Sequence, residues 1–222
     1  ASLAPSEMCI RDSIMIDQFM SMSELIDHTE EHKDWQILYN ERVAKSLITA
    51  VHGGAIERGT SEIAQLISEI GGYSFYTFKG IRKNKNHELH VTSKHFDEPI
   101  LNELVPTHEV VVSLHGCMGN DVAVYIGGKD LELSYEITQQ LQKIGIKVKP
   151  APAHIAGMQT ENFVNKGKRD AGVQLELTVA LRKQCFKNNK YNLHDRENRE
   201  NWSQLMFSFS TAIANALKIL ND

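Results

Sequence analysis

The chain has 222 residues, of which 41% are hydrophobic and 23% are charged, and its formal net charge is −4. This balance is typical of one soluble globular domain rather than of a disordered chain. The acidic charge argues against general nucleic-acid binding, which usually needs a basic face. No apolar run approaches the roughly 18 residues needed to cross a bilayer. We therefore expect neither a nucleic-acid partner nor a membrane.

The first residues do not join the pattern of the rest. Residues 1–14 (ASLAPSEMCIRDSI) lack the basic start and apolar centre of a secretory signal. We interpret them as a non-native or disordered extension and residues 15–222 as a single domain. The cysteines show neither a CxxC pair nor a zinc-finger spacing. A cytoplasmic protein is the expectation that follows, because its thiols need no oxidising compartment.

Short apolar runs alternate with amphipathic segments along the chain. The predicted strands, in chain order, are DWQILYN, SLITAV, YSFYTFKG, ELHVTS, EVVVSLHGC, DVAVYIGG, IKVKPAP and the start of GVQLELTVAL. The predicted helices are MSELIDHTEEHK, TSEIAQLISEI, FDEPILNELV, LELSYEITQQLQKI and residues 197–220. This alternation predicts an α/β fold in one domain, with a central mixed, largely parallel β-sheet flanked by helices.

Two of the predicted strands end at a histidine that is followed by glycine. LITAV is followed by His52 and VVVSL by His115. In open α/β sheets the ligand crevice lies beyond the carboxyl ends of the strands. We therefore expect both imidazoles at one edge of the sheet.

A carboxylate five residues after the first histidine completes a zinc ligand set. Two imidazoles and one carboxylate are a recurrent set for catalytic zinc, which keeps a further position open for water. Gly53 and Gly54 allow the tight turn that would return Glu57 to the side of His52. The sequence thus predicts a site formed by His52, Glu57 and His115.

A zinc hydrolase also needs a carboxylate that moves protons. In GVQLEL, Glu176 alternates with Val173, Leu175 and Leu177 and shares a face with Gln174. A glutamate in so apolar a strand is expected to face a cleft or a partner. We assign Glu176 as the general base; the alternative is a glutamate on the polar face of an edge strand.

Five ordered blocks resemble the phage and prophage poly-γ-glutamate hydrolase family. They are HGGAIERGTSEIA, YSFYTFKG, LHVTSKHFDEP, VVSLHG and NKGKRDAGVQLELTVALR. The resemblance spans roughly residues 34–185. It implies a topology similar to that of the zinc carboxypeptidases, one Zn²⁺ per chain, and cleavage of γ-glutamyl amide bonds in poly-γ-glutamate. His52, Glu57 and His115 match the family's metal ligands and Glu176 its catalytic glutamate.

Two consequences follow from this resemblance. The gap between His52 and Glu57 is longer than in the carboxypeptidases, so their C-terminal exopeptidase specificity is not carried over. The substrate carries one carboxylate per residue, so the cleft should present cations. We expect Arg82 and Arg169 to contact substrate, because arginine binds carboxylates with paired hydrogen bonds, and Asn165 to donate a hydrogen bond.

Other interpretations remain open on sequence alone. One is a zinc amidohydrolase of small γ-glutamyl peptides or N-acyl-glutamates; another is a non-catalytic protein that binds an anionic polymer. His90 could hold the second nitrogen of a metal-bound histidine, and His154 could brace a loop. Cys117 raises the option of a thiol nucleophile, although we place Cys117 beyond the end of its strand. We expect a monomer, released by host lysis if the gene is phage-borne.

Overall fold

A computed structural model describes residues 17–221, so the predicted N-terminal extension lies outside it. The core is a seven-stranded sheet in the order β1-β3-β2-β4-β7-β5-β6. The strands are β1 Trp35–Asn40, β2 Ser46–Gly54, β3 Ser74–Gly80, β4 Val110–Cys117, β5 Ala123–Gly127, β6 Lys147–Pro150 and β7 Val173–Thr178. The predicted single α/β domain with a mixed sheet is confirmed.

Parallel pairing dominates the middle of the sheet. Strands β3, β2, β4 and β7 are parallel neighbours, whereas β1 pairs antiparallel with β3 and β5 antiparallel with β7. All nine residues of β2 are buried, as expected for a strand covered on both faces. The carboxyl ends of β2, β4 and β7 therefore meet at one edge of the sheet.

Helices cover both faces of this sheet. They are α1 Met22–His28, α2 Thr60–Gly71, α3 Pro99–Leu104, α4 Leu131–Lys143, α5 Val179–Gln184, α6 Leu193–Glu197 and α7 Gln204–Asn221. α2, α4 and α7 pack in one hydrophobic cluster, and α1 and α3 contribute to a second. Alternation along β2 feeds both, since Ile48 belongs to the first cluster and Leu47 to the second. None of the helices in the described part is long and apolar enough to cross a membrane.

The predicted strand ELHVTS is wrong. Asn86–Leu89 forms a 3₁₀ turn, and the residues after it join no strand. Their backbone groups have other partners: the Val91 carbonyl accepts a hydrogen bond from His52, and the Thr92 N–H donates to Asp17. This segment runs across the carboxyl edge of the sheet and forms a wall of the site.

Candidate active site

The glycine turn after β2 places Glu57 beside His52, as predicted. The Glu57 N–H donates to the His52 carbonyl at 2.8 Å, and the Glu57 carboxylate lies 3.3 Å from His52 Nδ1. Both glycines are needed for this path. A Cβ atom on Gly53 would lie 1.9 Å from Ser61 Oγ, and Gly54 has a φ of +63°, a conformation that glycine adopts without strain.

The carboxyl end of β4 brings His115 to the same point. Its Nδ1 lies 3.1 Å from His52 Nδ1 and 3.6 Å from the second oxygen of Glu57. That oxygen also accepts a hydrogen bond of 2.8 Å from the Gly116 N–H. The expectation that both strand-ending histidines share one edge with Glu57 is confirmed.

The outer nitrogen of each histidine has its own partner. His52 Nε2 lies 2.8 Å from the Val91 carbonyl, and His115 Nε2 lies 2.9 Å from Ser113 Oγ. A carbonyl only accepts, so His52 Nε2 carries a proton. In the neutral form of the ring, the Nδ1 lone pair points inwards. The expectation that His90 holds this nitrogen is wrong, because the Val91 carbonyl occupies that position.

His90 instead lies over the site with a carboxylate behind it. Its ring centre is 3.9 Å from that of His52, its Nε2 is 4.0 Å from Glu57, and its Nδ1 is 2.6 Å from Asp17. Asp17 was not predicted as a site residue, because it lies 73 positions before His90 and belongs to no motif.

The charges of this cluster suit a cation. Burial opposes ionisation of Glu57, but the positive charge available at His52 and His115 lowers the pKa of Glu57 to about 2. Burial lowers the pKa of His115 to about 3, and Glu57 offsets only part of this effect. Burial also acts against the charged form of His52, yet the Glu57 carboxylate raises its pKa overall. At neutral pH the cluster thus offers the anionic carboxylate of Glu57 and the neutral imidazole of His115 to a cation.

The donor spacing fits a small tetrahedral metal. Zinc bonds of about 2.0–2.1 Å separate neighbouring ligand atoms in a tetrahedron by about 3.3 Å. The Nδ1 atoms of His52 and His115 are 3.1 Å apart, and they lie 3.3 and 3.6 Å, respectively, from the two different oxygens of the Glu57 carboxylate. A second set overlaps with the first, because donor atoms of His52, Glu57 and His90 lie within 4.8 Å of one another.

Glu176 faces this cluster from the neighbouring strand. It pairs in register with His115, its side chain lines the cleft, and only 5% of the residue is exposed. Burial, reinforced by the negative charge of Glu57, raises its pKa to about 8, while the Gln174 amide donates to it at 3.0 Å. β7 has neighbours on both sides, so the alternative of a polar face on an edge strand is wrong.

Metal-free protein should lose stability relative to the Glu176→Gln variant as the pH rises from about 5 to about 8. The pKa of this carboxyl group is raised from 4.5 to about 8 on folding. Over this interval the folded state keeps a proton that the unfolded state has released, so a rising pH favours unfolding. Urea unfolding of both proteins across the interval measures the effect; parallel stability profiles would contradict a protonated, buried Glu176.

The cluster forms the floor of a cleft of about 860 Å³. Its polar lining includes His52, Glu57, His90, His115, Glu176 and Arg182. A concave site with several convergent polar groups and shifted pKa values is the expected form of an active site.

The model of the poly-gamma-glutamate hydrolase family matches residues 19–209. The chain belongs to this family. The resemblance seen in the sequence is therefore confirmed, and the protein is a hydrolase by family. It is 34% identical to the protein YndL of Bacillus subtilis strain 168, over 78% of this chain and 69% of YndL. It is 32% identical to the SPbeta prophage-derived protein YoqZ of the same strain, over 93% of this chain and 72% of YoqZ.

Two solved structures share the fold across almost their whole length. A bacteriophage poly-gamma-glutamate hydrolase superposes with a TM-score of 0.89 and 29% identity, covering 93% of this chain and 99% of that one. A zinc-free form of YndL gives a TM-score of 0.85 and 31% identity, covering 91% and 98%. The described residues therefore share the fold of these two proteins.

The three substrate contacts expected in this hydrolase lie outside the residues that line the cleft. Arg82 donates to Asp34 and Glu88, which neutralise it. Arg169 lies 3.3 Å from both Asp130 and Glu132. The structure therefore does not support these two arginines as cleft cations.

Asn165 has a structural position instead. It is 2% exposed, and its amide donates to the carbonyls of Gly157 and Gln159. Its side-chain oxygen accepts from the N–H groups of Lys129 and Gly172. With its hydrogen bonds committed to these loops, Asn165 braces the far wall of the cleft, and the expectation of a substrate contact is not supported.

Three further side chains that were not predicted as site residues line the cleft: Cys117, His154 and Arg182. Cys117 is the last residue of β4 rather than a residue beyond it, and it lines the cleft with His154. Arg182, a basic residue that follows the Glu176 strand in the sequence, is 5% exposed and lies in the cleft wall. Its position six residues after Glu176, across a strand-to-helix junction, is the signal that could have identified it.

Proposed function

We propose that this protein is a zinc-dependent hydrolase that cleaves the γ-glutamyl amide bonds of poly-γ-glutamate, with Glu176 as general base. The observation that carries the proposal is the convergence of two imidazole Nδ1 atoms and one carboxylate within 3.1–3.6 Å, opposite a buried glutamate. Family membership supports the substrate, and the zinc-free form of the related YndL supports zinc as the metal.

His52 and His115, through Nδ1, and Glu57, through its carboxylate, are the residues that would hold the ion. The outer nitrogen of each histidine is held by a partner: that of His52 by the Val91 carbonyl, and that of His115 by the Ser113 hydroxyl. Such outer partners orient ligands and fix the tautomer. A bound zinc ion supplies Lewis acidity, which polarises an amide carbonyl and lowers the pKa of bound water to about 7.

Glu176 supplies the proton transfer. A pKa of about 8 in the metal-free cleft reflects burial and repulsion from Glu57, and a nearby cation favours the carboxylate form that a base needs. The carboxylate accepts a proton from the attacking water and returns it to the leaving nitrogen. The carbon–nitrogen bond breaks, and the products are a γ-carboxylate and an amine.

The linkage of the polymer tests the substrate assignment. Zinc-loaded protein should shorten γ-linked polyglutamate and leave α-linked polyglutamate of equal length intact, as followed by size-exclusion chromatography. Both polymers carry one carboxylate per residue, so charge alone does not separate them. Cleavage of small γ-glutamyl peptides with no change in the γ-linked polymer would favour a small-molecule amidohydrolase. Binding of the polymer without cleavage, with or without zinc, would favour a non-catalytic binding protein.

A further inference from the structure

Arg182 occupies a defined place beside the proposed reacting centre. Thr178 ends β7 and caps α5, since its hydroxyl accepts from the Leu181 N–H. The helix begins directly after the strand, so Arg182 lies close to the strand end. Its Nε donates to the carbonyl of Leu177 at 3.0 Å. The guanidinium lies against Gly116, where a Cβ atom would be 2.6 Å from its central carbon. Gly116 in turn follows His115 and donates to Glu57.

The guanidinium is held rigidly, and only by neutral groups. Its hydrogen-bond acceptors are the carbonyls of Arg58, Cys117 and Leu177 and the hydroxyl of Tyr191. These bonds use Nε and both N–H groups of Nη1, whereas Nη2 makes one of its two possible bonds. One donor on Nη2 thus remains for a ligand.

Arg182 forms no ion pair within the described part of the chain, where each of its hydrogen-bond acceptors is uncharged. Glu176 acts on it only as a nearby charge, without a hydrogen bond. Arg82 and Arg169 differ, because both form ion pairs with acidic side chains. A cation that is 5% exposed and hydrogen-bonds only to neutral groups is stabilised when an anion joins it. The cleft that Arg182 lines is the place from which such an anion can arrive.

The chemistry of a γ-linked chain supplies an anion next to the cleaved bond. In each unit the carbon that bears the amide nitrogen also bears the free α-carboxylate. In an α-linked chain that carboxyl group is consumed in the next peptide bond, and the free carboxylate lies farther along the side chain. A fixed cation beside the reacting centre can therefore distinguish the two linkages.

We propose that Arg182 binds the α-carboxylate of the glutamyl unit whose nitrogen is the leaving group, and so selects γ-linked chains. This inference rests on the proposed function for the identity of the substrate. Arginine suits the task because its planar donors match a carboxylate, and the backbone carbonyls that hold it preset the geometry.

Binding rather than turnover tests this inference. The probes are a short γ-linked glutamate oligomer and the same oligomer with each α-carboxylate converted to a primary amide. Calorimetry is performed on zinc-loaded protein that carries Glu176→Gln, so that the oligomer stays intact. This protein should prefer the acid oligomer by about 30-fold or more, since a buried charge pair is lost with the amide.

When Arg182→Gln is added to Glu176→Gln, the ratio of the affinities for the acid and amide oligomers should fall close to one. Glutamine keeps a side-chain donor but carries no charge. The matched control is Arg169→Gln, which removes an arginine outside the cleft and should keep the preference. Zinc content and melting temperature are measured for each variant to verify folding. If Arg182→Gln does not fold, the Glu176→Gln protein alone decides, because equal binding of acid and amide oligomers overturns the inference.

The outcomes separate the two proposals. A preference for the acid oligomer that survives Arg182→Gln overturns the role of Arg182, even if the wild type degrades the polymer. A preference that depends on Arg182, in a wild-type protein that cleaves neither polymer, supports the anion site and contradicts the proposed function. Absence of binding by both oligomers overturns the inference.

Discussion

His52→Ala and His115→Ala should each lose bound zinc and hydrolysis of poly-γ-glutamate together. Removal of one donor leaves the ion with two protein ligands, and altering even an outer partner of a ligand lowers metal affinity about 10- to 100-fold. We therefore expect an affinity loss of more than about 100-fold for either variant. Zinc content after dialysis and competition with a chromogenic chelator measure the affinity, and polymer size measures the activity.

Two further histidine variants sharpen this experiment. His194→Ala removes an exposed histidine that does not line the cleft and should behave as wild type. His90→Ala separates the two overlapping donor sets, because His90 lies 4.0 Å from Glu57 whereas His115 lies 3.6 Å away. If His90→Ala lost zinc and His115→Ala kept it, the metal would be held by the set that contains His90.

Glu176→Gln should keep zinc and lose turnover. The substitution preserves the shape of the side chain but removes its ability to accept a proton, and general acid–base catalysis contributes about 10²- to 10⁴-fold to rates. We expect kcat to fall within this range, with a smaller change in KM, because the proton moves only during the reaction. Steady-state kinetics with a γ-linked oligomer, together with zinc content, give both quantities.

The matched control is Glu103→Gln, which changes an exposed glutamate on α3 and should leave both quantities unchanged. Loss of zinc in Glu176→Gln would assign this carboxylate to the metal rather than to proton transfer. Full activity would remove Glu176 from the mechanism.

The positions of His52, Glu57 and His115 could be predicted because local sequence patterns encode them. His52 and His115 end apolar strands, and parallel strands share a carboxyl edge. Gly53 and Gly54 allow the tight turn that returns Glu57 to the same point. The α/β domain followed from the alternation of strands and helices. These features depend on periodicity and on residues that are neighbours in sequence or on adjacent strands.

The outer part of the site depends on distant contacts, which leave no local pattern. Asp17 and His90 are 73 positions apart, and the wrong strand prediction hid the turn that brings them together. Arg82 and Arg169 were expected to contact the substrate because they are arginines, but folding brings acidic side chains close and neutralises their charges. Arg182 stands beside Lys183 in the sequence; its position after the Glu176 strand is a weak signal, and its burial among carbonyls appears only in the fold.

The size distribution of poly-γ-glutamate after incubation with the purified protein tests the central claim most directly. The polymer is compared for untreated protein, for protein stripped with a chelator, and for stripped protein with zinc restored. We expect untreated protein to reduce the polymer to short fragments, stripped protein to leave it unchanged, and restored zinc to recover cleavage. The reason is that His52, Glu57 and His115 would hold the ion that the reaction needs. Degradation that persists without any bound metal would contradict it.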